Sequence, residues 1–221
     1  MNLSLPSRRR VLRLLSAMAV LLLSACAALG GGSNSAAAIY APDPRVRADS
    51  AWPAVQWQLS VTSPLAARLL DSSRIVVRPR PNEMQVYKDA SWAKRPSEML
   101  EDALLRALED SGRIPAVARQ GSGVSADYKL VLDLRRFESD YAQEGAMPAA
   151  TIEVNAKLLH ASDQQVVATR TFLHAQPAAS TAVPDVVVAF EQALGVVSHE
   201  LAGWVLNSGA AHERSAKPLR R

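Results

Sequence analysis

The chain has 221 residues, a formal charge of +4, 21% charged residues and one cysteine, which excludes an internal disulfide framework. The basic excess lies in the first 25 residues, which hold four arginines and no acid; residues 26 to 221 carry 21 basic and 21 acidic side chains and no net charge. A nucleic-acid binder keeps a basic excess on its folded part, so that class is excluded, and the roughly 150 residues that look foldable make a single domain.

Residues 1 to 25 read as a signal peptide. Arg8, Arg9, Arg10 and Arg13 form a basic n-region, and Leu14 to Leu23 is an apolar run too short to span a bilayer well. It ends Leu23-Ser24-Ala25-Cys26, the pattern of a bacterial lipobox; the other reading is an ordinary secretory signal with a chance cysteine. On the lipobox reading Cys26 is acylated on its sulfur and its amine, and several acyl chains anchor stably where one would not. Ala27 and Ala28 follow Cys26, and the absence of Asp there points to the outer membrane. Ser7 to Arg13 also resembles a twin-arginine export signal, so Sec and twin-arginine export both stay open. No later apolar run is long and uncharged enough for a transmembrane helix.

Residues 26 to 50, rich in Gly, Ser, Ala and Pro, read as a flexible tether, with Ile39-Tyr40-Ala41-Pro42 as a short docking strand within it. Val55, Trp57, Leu59 and Val61 alternate with polar residues, the period of a half-buried strand that Pro64 ends. Leu65 to Leu70 fits a helical turn or a loop equally. Arg74 to Arg78 and Met84 to Tyr87 read as paired strands, with Pro79, Pro81 and Asn82 in the turn. The helix predicted from Pro96 to Ser111 has proline in its first turn, Ser97 as a cap, acids near its start and an i,i+4 pair of Asp102 with Arg106. Leu100, Ala103, Leu104, Ala107 and Leu108 form its apolar stripe, and Gly112 stops it.

A short strand is predicted around Val117. Asp127 to Phe137, Thr151 to Leu159 and Gln165 to Leu173 read as an antiparallel meander. The closing helix runs from Pro184-Asp185 to about Leu206, with Val187, Phe190, Leu194, Val197, Leu201 and Trp204 on one face. Val186, Val188, Val196 and Val205 widen its apolar surface and point to a covering element or a neighbouring subunit. Residues 51 to 207 are thus one domain, and 208 to 221 a flexible polar tail.

Catalytic constellations are poor. His199-Glu200 begins like a zinc-protease H-E-x-x-H, but Gly203 stands where the second histidine belongs. Gly121-Ser122-Gly123 reads as a loop rather than a nucleophile elbow. His160, His174 and His212 lie apart in the sequence, and each reads as an ordinary surface or packing residue. Glu138, Asp140 and Glu144 form a carboxylate cluster or a solvated strand exit. The expectation is no enzyme, no metal and no cofactor.

Four features in order carry a family resemblance: the lipobox; Leu70-Asp71 with Arg74-Ile75; Tyr87, Trp92-Ala93 and Pro96; and Ala126-Asp127-Tyr128 with Leu130, Phe137 and Glu138. With the closing helix from Ala189-Phe190 to Trp204, the chain resembles the ABC-type transport auxiliary lipoproteins, PqiC-like partners of MCE and ABC lipid transport systems, over residues 38 to 206. The resemblance implies an α/β (α+β) fold, a layered mixed sheet with helices packed on it, similar to an anticodon-binding domain. It implies a periplasmic domain lipid-anchored to the outer membrane beside an MCE-domain protein and ABC transporter subunits. Some relatives form rings, which makes the chain a candidate homo-oligomer. No catalytic residue comes with the family.

Tyr87, Trp92 and Arg95 are candidate partner contacts, since Trp, Tyr and Arg are common interface anchors; the other reading has Trp92 packing the strand-to-helix corner. Two further functions stand beside the transport one. A pilotin-like lipoprotein would assist assembly of an outer-membrane complex, and a small envelope hydrolase would use Ser122 or the Glu138 cluster.

Overall fold

The computed structural model describes residues 37–142 and 145–216. Cys26, the signal peptide, residues 26–36 of the expected tether, Glu144 and residues 217–221 lie outside them. In chain order the elements are β1 (Ala38–Tyr40), β2 (Leu59–Val61), β3 (Leu65–Ala66), β4 (Arg74–Arg80), β5 (Glu83–Trp92), α1 (Pro96–Ser111), β6 (Val117–Arg119), β7 (Tyr128–Asp140), β8 (Ala149–His160), β9 (Val166–Pro177) and α2 (Val183–Ala216).

The nine strands form one mixed sheet on β7. Its 13 residues alternate so that Tyr128, Leu130, Leu132 and Leu134 are buried while Lys129, Val131 and Asp133 are only partly covered. One edge of β7 takes β2, β3 and β4 end to end, all parallel, and the other takes β8 antiparallel along its whole length. A register shift between Leu134 and Arg136 changes the alternation, so Phe137, three residues after Leu134, is buried too. β9 returns antiparallel on β8, completing the expected meander. Two helices pack on this sheet, giving the mixed α+β architecture expected. α1 and α2 touch each other, and α2 lies on both β8 and β9.

Local physics accounts for most boundaries. α1 begins with proline at its first position and ends where Gly112, at φ 61°, donates its N–H to the Glu109 carbonyl. Asn82, also left-handed at φ 65°, turns the β4–β5 hairpin. Leu65 to Leu70 divides: Leu65 and Ala66 bridge to β7, and a single helical turn follows, closed by the Asp71 N–H donating to the Ala67 carbonyl at 2.9 Å.

Regular structure reaches into both the expected tether and the expected tail. β1 lies parallel on the end of β5, and residues 41–58 continue as an arm along the helices. Small and proline residues in the arm resemble linker composition, yet Pro44, Trp52, Val55 and Trp57 are buried. Val55 and Trp57 face inward as their alternation predicts, although only Leu59–Val61 joins the sheet. At the other end α2 continues through Ser208 to Ala216. Gly209 inside that stretch is buried, so the polar tail expected from residue 208 is helix for nine more residues. No helix among the described residues is long and apolar enough to cross a membrane.

Candidate functional site

The β5–α1 junction carries the three candidate partner residues, and the structure separates them. Trp92 is 2% exposed. Its indole meets Phe137 edge-on at 5.9 Å and Phe190 at 5.2 Å, while Phe137 and Phe190 stack at 4.8 Å. The cluster ties β5, β7 and α2 together, so of the two roles set out for Trp92 its burial supports corner packing. Tyr87 is partly buried; its hydroxyl lies 3.0 Å from Ser139 Oγ and 3.5 Å from the Tyr141 hydroxyl. Burial pushes the Tyr87 phenol well above its ordinary pKa. Arg95, with 58% of its side chain exposed, is at the surface and donates two hydrogen bonds to Glu98.

Arg95 also occupies the N-cap position of α1 in an extended conformation, with no side-chain cap of its own. The cap comes from 26 residues upstream: the Ser97 N–H donates to Asp71 Oδ1 at 3.2 Å. Ser97 was the expected cap, but it sits inside the first turn and is buried. The Asp102–Arg106 pair does not form either. Lys94 and Arg119 bond to Asp102, and Arg106 reaches Asp43 of the arm. This last contact spans a groove of about 200 Å³ between arm and α1, lined by Pro42, Lys94 and Met99.

The Glu138 region is an ion-pair cluster rather than a solvated strand exit. The carboxylate is buried and accepts Arg78 Nε at 2.8 Å, Arg78 Nη2 at 3.0 Å and Arg136 Nε at 2.7 Å. Arg136 also holds Asp140 at 2.5 Å. Burial alone would raise the Glu138 pKa; the hydrogen bonds from Arg78 and Arg136 outweigh it and hold the carboxyl below its usual range. Glu101 shows the opposite balance. Burial raises its pKa, Arg119 Nε lies 3.4 Å away, and Oε1 accepts no hydrogen bond.

Two of the histidines that lie apart in the sequence meet in space. The Tyr128 hydroxyl lies 2.8 Å from His212 Nδ1 and donates to Glu213 at 3.0 Å, and the His160 and His212 rings are 5.1 Å apart. With its one proton directed to Glu213, the hydroxyl accepts from His212. The set pins the last turns of α2 to the start of β7. Nothing in it resembles an activated nucleophile, and Ser122 lies on an exposed loop. Among the described residues no three His, Cys, Asp or Glu side chains are grouped to hold a metal ion.

The arm–helix contact was not anticipated. A methyl group on Gly203 would lie 2.5 Å from Trp52 Nε1, one on Gly209 2.3 Å from Trp57 Cζ2, and one on Gly195 3.4 Å from Pro44 Cβ. Trp52 also packs on His199, ring to ring at 4.9 Å. The zinc-like His199-Glu200 run thus ends in glycine because an indole occupies the space. The chain's own arm covers the Gly195, Gly203 and Gly209 face of α2, while Val188 stays 55% exposed. Its sequence signal is three glycines spaced through an apolar helix.

A family model for the ABC-type transport auxiliary lipoprotein component matches residues 38–202. The crystal structure of protein XCC0632 from Xanthomonas campestris is 57% identical, covering 80% of this chain and 99% of that one, with a TM-score of 0.78. Another solved, uncharacterized protein shares the fold at 16% identity and a TM-score of 0.59, over 76% of this chain and 97% of its own. An uncharacterized protein of Bradyrhizobium diazoefficiens, bll6063, is 24% identical over 152 residues, which is 67% of this chain; the chain spans about 39% of that curated relative's length.

Proposed function

The chain belongs to the ABC-type transport auxiliary lipoprotein family, and from that premise we propose that it is a membrane-anchored periplasmic accessory subunit of an ABC/MCE-type lipid transport system. It acts by docking, with assembly into a homo-oligomer as a further element, and not by catalysis. The observation that carries this reading is how the family's residues are used. Asp71, Trp92, Phe137, Glu138 and Phe190 are all engaged in capping or packing inside one body, and none sits in a cleft as a reactive group. Cys26 holds the anchor, and Ala27 after it supports outer-membrane placement. Arg95 and Tyr87 are the proposed partner contacts; Trp92 supports them from beneath.

A photo-crosslinking residue at Arg95 of the full-length lipoprotein, expressed in its native envelope, tests this. Capture of an MCE-domain protein or an ABC transporter subunit is expected. No capture of either from an anchored, folded protein would reject the reading. So would loss of an outer-membrane complex on deletion with lipid distribution unchanged.

A further inference from the structure

The two ends of the sheet differ in chemistry. The β4–β5 tip, the β7–β8 connection and the β9–α2 connection meet at one end, because Arg78 lies beside Asp140, Asp140 beside Ala149 and Ala149 beside Pro177. These connections, residues 81–82, 141–148 and 178–182, contain one charged residue, Glu144, in a chain that is 21% charged. Met147 there is 57% exposed, and Met84 beside the tip is 37% exposed. At the opposite end the connections and helix termini carry Asp110, Arg113, Asp127, Asp163, Glu213 and Arg214. The charges nearest the apolar end are closed on themselves. Arg78, Arg136, Glu138 and Asp140 sum to zero and bond to one another, and Arg80 lies 3.9 Å from Glu83.

The chain also enters the fold from this side. β1 runs parallel to β5 from Ala38, opposite Ala90, so its N-terminus points towards the β4–β5 tip. Ile39 pairs with Ser91, and Ser91 with Arg74; Arg80 at the tip is six residues further along β4, about 20 Å. Twelve peptide units separate Cys26 from Ala38, and they span at most about 40 Å. The far end of the sheet, marked by Tyr128, lies about 25 Å the other way, behind the start of β1.

We infer that the apolar end is a lipid-contacting surface: Met147, Met84 and the uncharged connections around them settle into the headgroup–acyl boundary of the bilayer that holds the Cys26 anchor. The inference rests on the acylation of Cys26 proposed above, and adds which part of the body meets lipid and by what contact.

Settling at that depth requires a tip with few charged groups to desolvate, which only this end of the sheet offers. Methionine suits the task, since an unbranched thioether adapts to irregular apolar surroundings. Two part-exposed methionines would hold a free protein to a membrane only weakly. Tethering changes this, because a short link to the bilayer keeps the patch at high effective concentration beside it. A protein partner is ordinarily gripped by a polar rim around an apolar centre; here the nearest charges already satisfy one another, which suits a lipid surface better. For the same reason the contact is apolar rather than electrostatic, and it does not require anionic lipid.

The test uses the full-length acylated protein, in which Cys26 is blocked and a second cysteine can be labelled alone. Thr181→Cys, exposed in the β9–α2 connection, and Gln165→Cys, exposed in the β8–β9 connection at the far end, each receive the environment-sensitive dye nitrobenzoxadiazole. Both are reconstituted in phosphatidylcholine vesicles, and flotation reports the anchor separately from the label. Doxyl-labelled lipid is expected to quench the Thr181→Cys label roughly threefold and to leave the Gln165→Cys label almost unchanged. Adding phosphatidylglycerol should not alter the quenching, and Met84→Asp with Met147→Asp should abolish it. A floating protein whose two labels are quenched alike, or not at all, overturns the inference and leaves the anchor standing. A Thr181→Cys label shielded from water without doxyl quenching would assign the surface to a protein contact, and quenching only with anionic lipid would assign it to charge; either overturns the inference. Undiminished quenching in the double aspartate variant does so too. Failure to float overturns the anchored reading and this inference together. Should the double variant fail to fold, the two labels in the otherwise unchanged protein still decide it.

Discussion

Replacing Gly209 by alanine adds one methyl group to α2, and its effect depends on whether Trp57 is seated where the structure places it. In an exposed helix the change stabilises by about 1 kcal/mol, because glycine is the poorer helix former. Here the new carbon would lie 2.3 Å from Trp57 Cζ2 and 2.8 Å from Cε2. Carbon atoms rest at about 3.5–4.0 Å, so the ring must retreat by more than about 1 Å. It has little room, being 5% exposed and held 4.8 Å from the Tyr128 ring. Overpacking of this kind costs about 1–3 kcal/mol, and a clash with a fixed indole lies at the upper end. The net expectation is destabilisation by about 1–2 kcal/mol after the helix gain. Gly195→Ala is the control: its nearest neighbour would be Pro44 Cβ at 3.4 Å, ordinary contact, and about 1 kcal/mol of stabilisation is expected. Urea unfolding followed by circular dichroism and tryptophan fluorescence measures both. In a Trp57→Ala background, itself about 3–5 kcal/mol less stable, Gly209→Ala should change sign and stabilise. Equal stabilisation by Gly195→Ala and Gly209→Ala in the parent protein would show that the arm does not pack on α2 in this way.

Three further outcomes are expected. Asp71→Ala removes the cap of α1 and should cost about 1 kcal/mol, while Ser97→Ala should leave the urea midpoint close to the parent value; the reverse order would return the cap to Ser97. Glu138→Ala leaves two part-buried guanidiniums without their shared partner and should cost about 3 kcal/mol in the same titration. The folded-state pKa of Glu138 is depressed, so its contribution is fully present above the usual value of 4.5 and lost as pH falls through the folded value; Glu138→Gln should flatten the acid limb of a stability–pH profile. The folded-state pKa of Glu101 is raised, so its contribution is full below 4.5 and lost as pH rises through the folded value. Glu101→Gln should therefore raise the thermal midpoint at pH 7, with the advantage shrinking towards pH 4, and an unchanged or lower midpoint at pH 7 would contradict the burial argument.

Periodic elements were legible because their signals are local. The limits of α1 follow from Pro96 and Gly112, and the meander follows from the alternation in β7 and β8. What could not be read was whatever depends on a residue distant in sequence. Asp71 caps a helix 26 positions away, so Ser97, adjacent to Pro96, took its place in the reading. Arg106 turns to Asp43 instead of Asp102 because the arm brings a carboxylate to it. His160 and His212 are both held at Tyr128 by the sheet end and the helix end meeting there. The arm was hardest: its prolines and small residues mimic a tether, and the glycines that receive it lie some 150 residues later in a helix.

These long-range contacts also change what the family motif means. Its pieces look unrelated in the sequence, which invites a search for a shared active site. In the fold, Trp92, Phe137 and Phe190 form one aromatic cluster, Asp71 caps the helix that Pro96 begins, and Glu138 gathers Arg78 and Arg136. Each piece fixes one junction between elements, and together they lock β4, β5, β7, α1 and α2 into one body. Residues committed to such junctions are poorly placed to contact a partner, since a side chain cannot fill the core and present itself at the surface. On the proposed reading, specificity for a partner falls to positions the motif leaves free, such as Arg95 beside the junction. Substitutions there should separate assembly from folding, whereas substitutions in the motif should lose both together.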